Sequence, residues 1–314
     1  MVGGHAGALD ALTGSIYANV PMDAALRPFL EEPLPRYAGR PRNALTVDVE
    51  EYFQVAAFER TISREAWDRS ESRVEFNTGR VLDLFAARGC KATFFVLGWI
   101  AERHRALVRR IVDDGHELAS HGYDHTRVHQ FTPERFRADV ARTKGLLEDI
   151  AGVPVRGYRA PSYSINDRNL WALDVLAEAG HVYSSSIYPI RHDLYGMPDA
   201  PRFPFRVRHG AILEIPVTTV RLGNRNYPCG GGGYFRLLPY DVFRRMLERV
   251  NKHDGKPGLF YFHPWEVDPG QPRVTGAPLK SRFRHYLNLG SMHSRLERLL
   301  EVFAWGRMDD VFGV

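Results

Sequence analysis

The sequence predicts an α/β protein built on a distorted (β/α) barrel of about seven parallel strands. Seven short apolar segments alternate with segments of helical periodicity, which is the pattern of repeated strand–helix units and a parallel sheet. Polar side chains of catalytic types follow several of the apolar segments, at the position where such barrels carry their active sites. A length of 314 residues is within the range of a single barrel.

Each predicted element follows from periodicity and from its end signals. Thr132 is a helix N-cap followed by Pro133 at the first helical position, and Gly89, Gly115 and Gly180 each end a helical segment. The four glycines at 230–233 lack the Lys-Ser/Thr of a phosphate loop, and they predict a flexible, mobile loop. The predicted strands are 44–47, 92–97, 116–120, 155–159, 181–184, 211–216 and 258–262, and the predicted helices are 78–85, 99–114, 132–150, 167–179, 239–250 and 291–303.

Composition favours a soluble globular protein without a nucleic-acid partner. The net charge is +5, but the basic residues are scattered and no RNA- or DNA-binding signature accompanies them, so a mildly basic solvated surface is the simplest interpretation. An anionic glycan or a membrane surface is the main alternative partner. We expect no transmembrane segment and no secretory signal, and Cys90 and Cys229 lack a disulfide or zinc spacing. These features predict a cytoplasmic protein, with peripheral association with a membrane-bound assembly left open.

Two histidines follow the third predicted strand. His121 and His125 are four residues apart, a spacing that places two imidazoles on one side of a helical turn and suits a divalent metal. With 13 histidines in the chain, chance alone supplies about half of one such pair, so the spacing is weak evidence by itself. His129 repeats the spacing, and we interpret that repeat as coincidental. The pair gains weight from the strand that delivers His121 and from carboxylates at a neighbouring strand end.

Those carboxylates belong to Asp48 and Glu50, which flank Val49 at the end of the first predicted strand. On an extended strand they share one face, and two carboxylates on one face repel each other unless they share a cation or a proton. The alternative is that one of Asp48, Glu50 and Glu51 only caps the following segment. Beside two histidines, Glu50 as a third metal ligand and Asp48 as a general base is the more economical hypothesis.

Arg159 and His263 also follow apolar strands. The Arg159 guanidinium could hold Asp48 ionised through a bidentate pair, the alternative being an ordinary surface salt bridge. His263 lies at the mouth of the last strand, where it could act as a general acid, although a lone histidine there is more often a satisfied core residue. Beside the glycine run, Tyr227 or Tyr234 could stack on a sugar ring.

Taken together, these residues resemble the polysaccharide deacetylase (NodB-homology) family, also called carbohydrate esterase family 4. The acidic motif at 48–50, the Ser-His-x-x-x-His motif at 120–125, the Arg-x-Pro motif at 159–161 and the late histidine at 263 occur in the family's order. Segments 48–53, 188–193, 232–236 and 283–288 look like those of the exopolysaccharide-cluster branch, which carries a distinctive C-terminal segment. The resemblance therefore reaches nearly to the C-terminus and leaves about the first 40 residues unmatched.

The resemblance implies a distorted NodB-homology barrel, with a catalytic domain at 43–270 and a family-specific segment at 271–314 packed on the barrel. Residues 1–42 carry five prolines and little periodicity, which predicts an irregular N-terminal extension. The resemblance also implies hydrolysis of N-acetyl groups on amino sugars of a polysaccharide or its lipid-linked precursor, with release of acetate. Zn²⁺, Co²⁺ or Ni²⁺ would be held by Glu50, His121 and His125. Asp48 would be the base, His263 the acid and Arg159 the residue that orients the base.

Substrate contacts and rival functions complete the expectations. A backbone N–H near Ser162 or Tyr163 would hold the oxyanion. The residues expected to contact an N-acetylated polysaccharide or oligosaccharide are Ser162, Tyr163, Tyr234, Trp265, His192 and Asp193. An allantoinase-type amidohydrolase, acting on a small ureide without a metal, is one alternative function. A glycan-binding protein without catalysis is another, and a homo-oligomer is left open.

Three positions depart from the family's pattern. Val49 stands where many members have a second, metal-binding aspartate, so Glu50 must reach the ion instead. Ser162 replaces the tyrosine that usually follows the Arg-x-Pro motif. A serine follows Tyr183 where an aspartate is common, which predicts weaker support for Arg159.

Overall fold

The computed structural model describes residues 29–32, 41–192, 195–207 and 210–314. Most of the predicted extension at 1–42, as well as Asp193, therefore lies outside the described residues. The strands are β1 (Phe29–Glu31), β2 (Asn43–Val49), β3 (Thr93–Val96), β4 (Glu117–Ser120), β5 (Gly157–Tyr158), β6 (Tyr183–Ser184), β7 (Phe205–Val207), β8 (Leu213–Glu214), β9 (Thr219–Leu222), β10 (Arg225–Pro228), β11 (Leu259–Phe262) and β12 (Trp305–Gly306).

The α-helices alternate with these strands as the sequence predicts. They are α1 (Val74–Ala87), α2 (Gly98–Arg103), α3 (Arg105–Asp113), α4 (Pro133–Ala151), α5 (Trp171–Glu178), α6 (Gly232–Leu237), α7 (Tyr240–Lys252), α8 (Leu279–Tyr286), α9 (Leu289–Val302) and α10 (Met308–Phe312). Thr132 caps α4 as predicted, since its side chain accepts a hydrogen bond from the Arg135 N–H. The predicted helix at 99–114 is divided at His104 into α2 and α3. None of the described helices is long and apolar enough to cross a membrane.

The seven predicted parallel strands are confirmed, and they form one sheet. They pair in the order β8, β6, β5, β4, β3, β2 and β11, each parallel to its neighbour. At the β8 side, β7 and then β1 add two antiparallel strands. β12 also pairs with the start of β2 in parallel, a strand that the sequence did not predict.

Strand ladders do not join β8 to β11 in the described residues, so the barrel is distorted at this point. Single hydrogen bonds bridge the opening instead. The N–H of Leu259, at the start of β11, donates to Thr218 Oγ1 (2.5 Å). The Tyr261 N–H donates to the Gly230 carbonyl (2.7 Å). The segment around the hairpin of β9 and β10 therefore fills the position of a further barrel strand.

The prediction of a flexible loop at 230–233 is wrong. Gly230 and Gly231 are buried against β11, and Gly232 begins helix α6. A Cβ on Gly230 would lie 2.6 Å from the Leu259 carbonyl oxygen, and one on Gly231 would lie 2.8 Å from the Tyr261 ring. Glycine is required at these two positions because their backbone packs directly on the Leu259 backbone and on the Tyr261 ring. It does not serve to make the segment mobile.

Strand β2 carries the acidic motif through the centre of the sheet. All seven of its residues are buried. Leu45, Val47 and Val49 belong to the large apolar core that the surrounding helices cover. Because side chains alternate along a strand, Asp48 points to the opposite side, into the barrel. The apolar alternation of β2 thus positions a carboxylate inside the barrel mouth.

Candidate active site

A cleft of about 190 Å³ lies at the carboxyl ends of the parallel strands. Arg159 is fully buried behind the cleft wall. His192 and Tyr234 are not among the described residues that line it. The predicted site residues that do line it are Asp48, Glu50, His121, His125, Ser162, Tyr163, His263 and Trp265.

Glu50, His121 and His125 form a group that could hold a metal ion. One ligand atom from each lies within 4.8 Å of the others. Glu50 is 2% exposed. Its Oε2 lies 2.9 Å from His125 Nε2, but this contact lacks the geometry of a hydrogen bond, so Oε2 accepts none from the described residues. Burial works against ionisation, but His125 and His263 lower the pKa of Glu50 to about 2. A buried carboxylate with an unsatisfied oxygen beside two imidazoles fits a divalent cation.

The ring orientation of His121 is fixed by the backbone. Its Nδ1 lies 2.8 Å from the Arg159 carbonyl, which can only accept, so Nδ1 carries the proton and Nε2 keeps its lone pair. Burial lowers the pKa of His121 to about 4, so the imidazole is neutral at physiological pH. A neutral ring oriented by a carbonyl is the usual state of a histidine that binds a metal.

The two histidines do not share a helical turn, so that part of the prediction is wrong. The chain bends after β4, with positive φ at Gly122 (74°) and at His125 (59°). This bend brings the two rings to a centroid distance of 5.6 Å. A left-handed conformation is uncommon for histidine and carries strain, which the surrounding contacts must hold.

Asp48 and Arg159 form a buried ion pair with a different geometry from the one predicted. A single guanidinium nitrogen, Nη1, contacts Asp48 Oδ1 (2.5 Å), and it also donates to Thr46 Oγ1 (2.9 Å). Nε and Nη2 instead donate to the carbonyl (3.2 Å) and hydroxyl (3.1 Å) of Ser185. The pair is therefore not bidentate. Ser185 thus supplies two neutral acceptors to Arg159, and weaker support than an aspartate would give stays a prediction.

The imidazole of His263 is held by a carboxylate that the sequence analysis did not single out. His263 Nδ1 lies 2.8 Å from Glu266 Oε1, while His263 Nε2 lies 3.4 Å from Glu50 Oε1. Burial disfavours the charged ring, but Glu50 and Glu266 raise the pKa of His263 to about 9. The indole of Trp265 stacks on the ring at 5.1 Å. Nε2 is thus the nitrogen presented to the cleft.

Glu266 is in turn held by Arg236, which comes from α6 and is 2% exposed. Arg236 Nε donates to Glu266 Oε2 (2.7 Å), and Nη1 donates to the carbonyls of His285 (2.9 Å) and Leu287 (2.5 Å). Despite burial, Arg236 and His263 lower the pKa of Glu266 to about 2. The spacing of Glu266 three residues after His263 was the available signal. Arg236 is distant in sequence, and its signal was its place in the segment 232–236, which resembles the exopolysaccharide-cluster branch but indicates no contact with Glu266.

The backbone of the cleft wall at 160–163 is also strained. Ser162 and Tyr163 both have positive φ (54° and 49°). The Tyr163 N–H already donates to the Ala160 carbonyl (3.0 Å), which leaves Ser162 as the predicted oxyanion donor. The Tyr163 hydroxyl is buried and has no partner in the described residues. Its ring packs on Tyr261 at 4.9 Å.

The alternative role considered for the acidic motif applies to its third member. Glu51 accepts hydrogen bonds from the backbone N–H groups of Arg73 (2.9 Å) and Val74 (3.1 Å), at the start of α1. It therefore caps the helix that follows, while Asp48 and Glu50 line the cleft.

Comparisons with known proteins agree with this geometry. A family model described as polysaccharide deacetylase matches residues 67–183, and one described as a domain of unknown function (DUF3473) matches residues 185–313. A peptidoglycan-N-acetylglucosamine deacetylase of Bacillus cereus is 32% identical over 98 residues, which are 31% of this chain and 36% of that protein. A bifunctional xylanase/deacetylase of Pseudobutyrivibrio xylanivorans is 32% identical over 99 residues, 31% of this chain and 16% of that protein.

The fold has a close counterpart among crystal structures. A Mycobacterium smegmatis protein assigned to the polysaccharide deacetylases superposes with a TM-score of 0.60 at 19% identity, covering 91% of this chain and 94% of that chain. The chain spans 36% of the Bacillus cereus relative and 16% of the Pseudobutyrivibrio xylanivorans relative, whereas the fold likeness extends over 91% of the chain. Residues 67–183 therefore belong to the polysaccharide deacetylase family, carbohydrate esterase family 4, and the fold of nearly the whole chain is that of the Mycobacterium smegmatis protein.

Proposed function

We propose that the chain is a divalent-metal-dependent hydrolase that removes N-acetyl groups from amino sugars of a polysaccharide or of its lipid-linked precursor. One observation carries the proposal. Asp48, held by the buried Arg159, and His263, held by Glu266, line the same cleft as the buried Glu50, His121 and His125 group. A base, an acid and a metal-binding group in one cleft are the components of amide hydrolysis.

Glu50, His121 and His125 would hold the ion. When bound, a divalent ion such as Zn²⁺, Co²⁺ or Ni²⁺ polarises a carbonyl and lowers the pKa of water. The ligand set supports this, because the neutral His121 ring presents Nε2 and Glu50 has an unsatisfied buried oxygen.

The protein's own groups then move the protons. Asp48 takes a proton from the water that attacks the acetyl carbonyl carbon, and Arg159 keeps its carboxylate ionised and oriented. The backbone N–H of Ser162 stabilises the oxyanion of the tetrahedral intermediate. As the C–N bond breaks, His263 donates the proton on Nε2 to the amine nitrogen. The products are acetate and a free amino sugar, so atoms and charge balance.

The substrate class follows from the cleft and from the relatives. The wall carries tyrosine and tryptophan ring faces, which suit the apolar faces of sugar rings. The Bacillus cereus relative is named for peptidoglycan N-acetylglucosamine, and we take an N-acetylated hexosamine as the unit acted upon. The segments that resemble the exopolysaccharide branch favour an exopolysaccharide over peptidoglycan.

The test combines metal content with acetate release. We expect one ion per chain in the purified protein, measured by mass spectrometry of the metals. Acetate release from a panel of N-acetylated oligosaccharides should be lost on chelation and restored by Zn²⁺, Co²⁺ or Ni²⁺. Full activity on a ureide after exhaustive chelation would favour the allantoinase-type alternative. Binding of a polymer without acetate release, in the metal-loaded protein, would favour a glycan-binding role.

A further inference from the structure

A second, larger cavity of about 630 Å³ lies away from the catalytic residues. One wall is the hairpin of β9 and β10, and the other is the irregular segment that follows Tyr188. The acidic motif does not line it, and neither do His121, His125, Arg159 and His263. Six of the side chains around it carry the argument: Arg191, Arg221, Arg225, Asn226, Tyr227 and Tyr234.

The three arginines give this cavity a positive charge, and none of them pairs with a carboxylate of the described residues. Within the described residues, Arg191, Arg221 and Arg225 form no ion pair, and Arg221 makes only a side-chain hydrogen bond to Asn226 (3.2 Å). Asp199 is the single carboxylate in the described lining. All three side chains are exposed, so a ligand in the cavity can reach their guanidinium groups. Like charges gathered around a concave surface attract a ligand of opposite charge.

The cavity also has a fixed shape and surfaces that suit a sugar. Asn226 Nδ2 donates to the Pro189 carbonyl (2.9 Å), which ties the hairpin to the opposite wall. Tyr227 is 42% exposed, and its ring borders the cavity together with that of Tyr234. Aromatic faces, amides and guanidinium groups together are the side chains that hold an acidic carbohydrate.

The two cavities are bordered by residues that are close together in the sequence. Tyr195 lines the catalytic cleft, and its ring stacks on that of Tyr188 at 5.9 Å with an angle of 4°. Pro189 to Arg191, on the same segment, line the second cavity. A polymer in the catalytic cleft could therefore continue along this wall to the arginines.

We propose that the second cavity binds a negatively charged sugar unit, bearing a carboxylate or a phosphate, of the glycan on which the enzyme acts. The proposal rests on the proposed function only in taking a glycan as the ligand. Guanidinium groups form paired hydrogen bonds with either anion, so the cavity selects charge and the catalytic cleft selects the N-acetyl group.

The experiment compares binding of neutral and acidic probes by calorimetry at low and at high salt. Chitohexaose is the neutral probe, a hyaluronan hexasaccharide supplies alternating carboxylates, and N-acetylglucosamine 1-phosphate supplies a phosphate. We expect at least one acidic probe to bind more tightly than its neutral counterpart, with a preference that weakens at high salt. The triple variant Arg191→Ala, Arg221→Ala, Arg225→Ala should weaken acidic binding about tenfold or more.

Matched controls keep the result interpretable. Arg135→Ala, Arg168→Ala and Arg249→Ala remove the same charge from exposed positions that line neither cavity, and this triple variant should retain the preference. Thermal unfolding midpoints check that both variants fold, and the single variant Arg225→Ala should show a smaller loss. Equal binding of all probes, or a preference that survives the triple variant, would overturn the inference. Because binding needs no turnover, an inactive protein that shows the preference refutes the deacetylase proposal alone.

Discussion

Asp48 is held by an arginine whose other nitrogens are all engaged. Arg159 is completely buried, and within the described residues it contacts Asp48, Thr46 and Ser185. Removing one member of such a pair leaves the other charge buried without compensation, which is costly. The same arrangement makes Asp48 a preorganised base, because its carboxylate cannot rotate away from the cleft without losing the guanidinium.

Asp48→Asn should abolish or nearly abolish acetate release, by about 10²–10⁴ in kcat, because an amide cannot accept the proton of the attacking water. The metal content should be unchanged, since Asp48 is not one of the three clustered ligands. Acetate release and metal content are measured on the same preparation of the protein. Asp167→Asn, at an exposed position, is the control and should be fully active. Loss of the metal in parallel with activity would show that Asp48 is a ligand and not the base.

His263→Ala should lower kcat on N-acetylated sugars by about 10²–10⁴, because the departing amine needs a proton. The loss should be much smaller on p-nitrophenyl acetate, because its p-nitrophenolate leaving group departs without a proton. Glu266→Gln should show the same selectivity with a loss of about 10–100-fold, since Glu266 only orients the ring. Equal losses on both substrates would remove His263 from the role of acid.

Helix α6 links the glycine run to the acid. Gly232 packs against the Glu266 carboxylate, and Arg236, one turn later, holds the same carboxylate. The helix therefore supports His263 through Glu266, although it contributes no side chain to the cleft lining in the described residues.

Gly232→Ala should destabilise the protein by about 1–3 kcal/mol, because the added methyl group overlaps Glu266. It should also lower kcat on N-acetylated sugars by displacing that carboxylate. Chemical denaturation and acetate release measure the two effects. Gly233→Ala is the matched control, since nothing lies within 4 Å of its Cβ. That variant should be neutral or slightly stabilising, and equal effects at both positions would contradict the packing argument.

The elements with a strong local signal were predictable from sequence, and the others were not. Buried parallel strands are continuous apolar runs, and α4 has both a cap and a first-turn proline. Helix α6 begins with two glycines, which are poor helix formers, so its packing against β11 overrides the local preference. Strand β12 has only two residues and exists because β2 is beside it. No local pattern encodes such a contact.

At the scale of the whole molecule, both matched halves build the cleft. The segment at 67–183 contributes His121 and His125, while the segment at 185–313 contributes His263, Trp265 and His285. The types and positions of the proposed base, acid and metal ligands were predictable because each follows a recognisable strand. Their connections to Ser185, Glu266 and Arg236 were not, because these depend on which distant segments pack together.

The free energy of unfolding should depend on pH through His116. Burial, and then the positive charges of Lys91 and Arg307, lower its pKa to about 4, with Asp114 opposing them. Its Nδ1 accepts a hydrogen bond from the Ala92 N–H (3.0 Å), which requires the neutral ring. In the unfolded chain His116 binds a proton with a pKa near 6.5, whereas in the native state it does so only near pH 4. Stability is therefore lost as pH falls from 6.5 towards 4.

This loss should amount to roughly 3 kcal/mol across that range, and His116→Asn should remove it while the amide oxygen replaces Nδ1 as acceptor. Urea unfolding at a series of pH values gives the difference between wild type and variant. His253→Asn, at a site that is 64% exposed, should leave the pH dependence as in wild type. If the free energy of unfolding of His116→Asn fell with pH as steeply as that of the wild type, other titratable groups would be responsible for the pH dependence.

The pairing of β12 with β2 has a consequence for synthesis of the chain. The Asn43 N–H donates to the Ala304 carbonyl, and β2 also pairs with β11. The strand that carries Asp48 and ends before Glu50 therefore lacks two partners until late in translation. Roughly 250 residues separate the two ends of this pairing, which is roughly 10–50 s of ribosomal elongation. For that time the nascent chain exposes one edge of an apolar strand, which has Asp48 within it and Glu50 directly after it. Chaperones that shield such strands should act on this protein before its catalytic pocket exists.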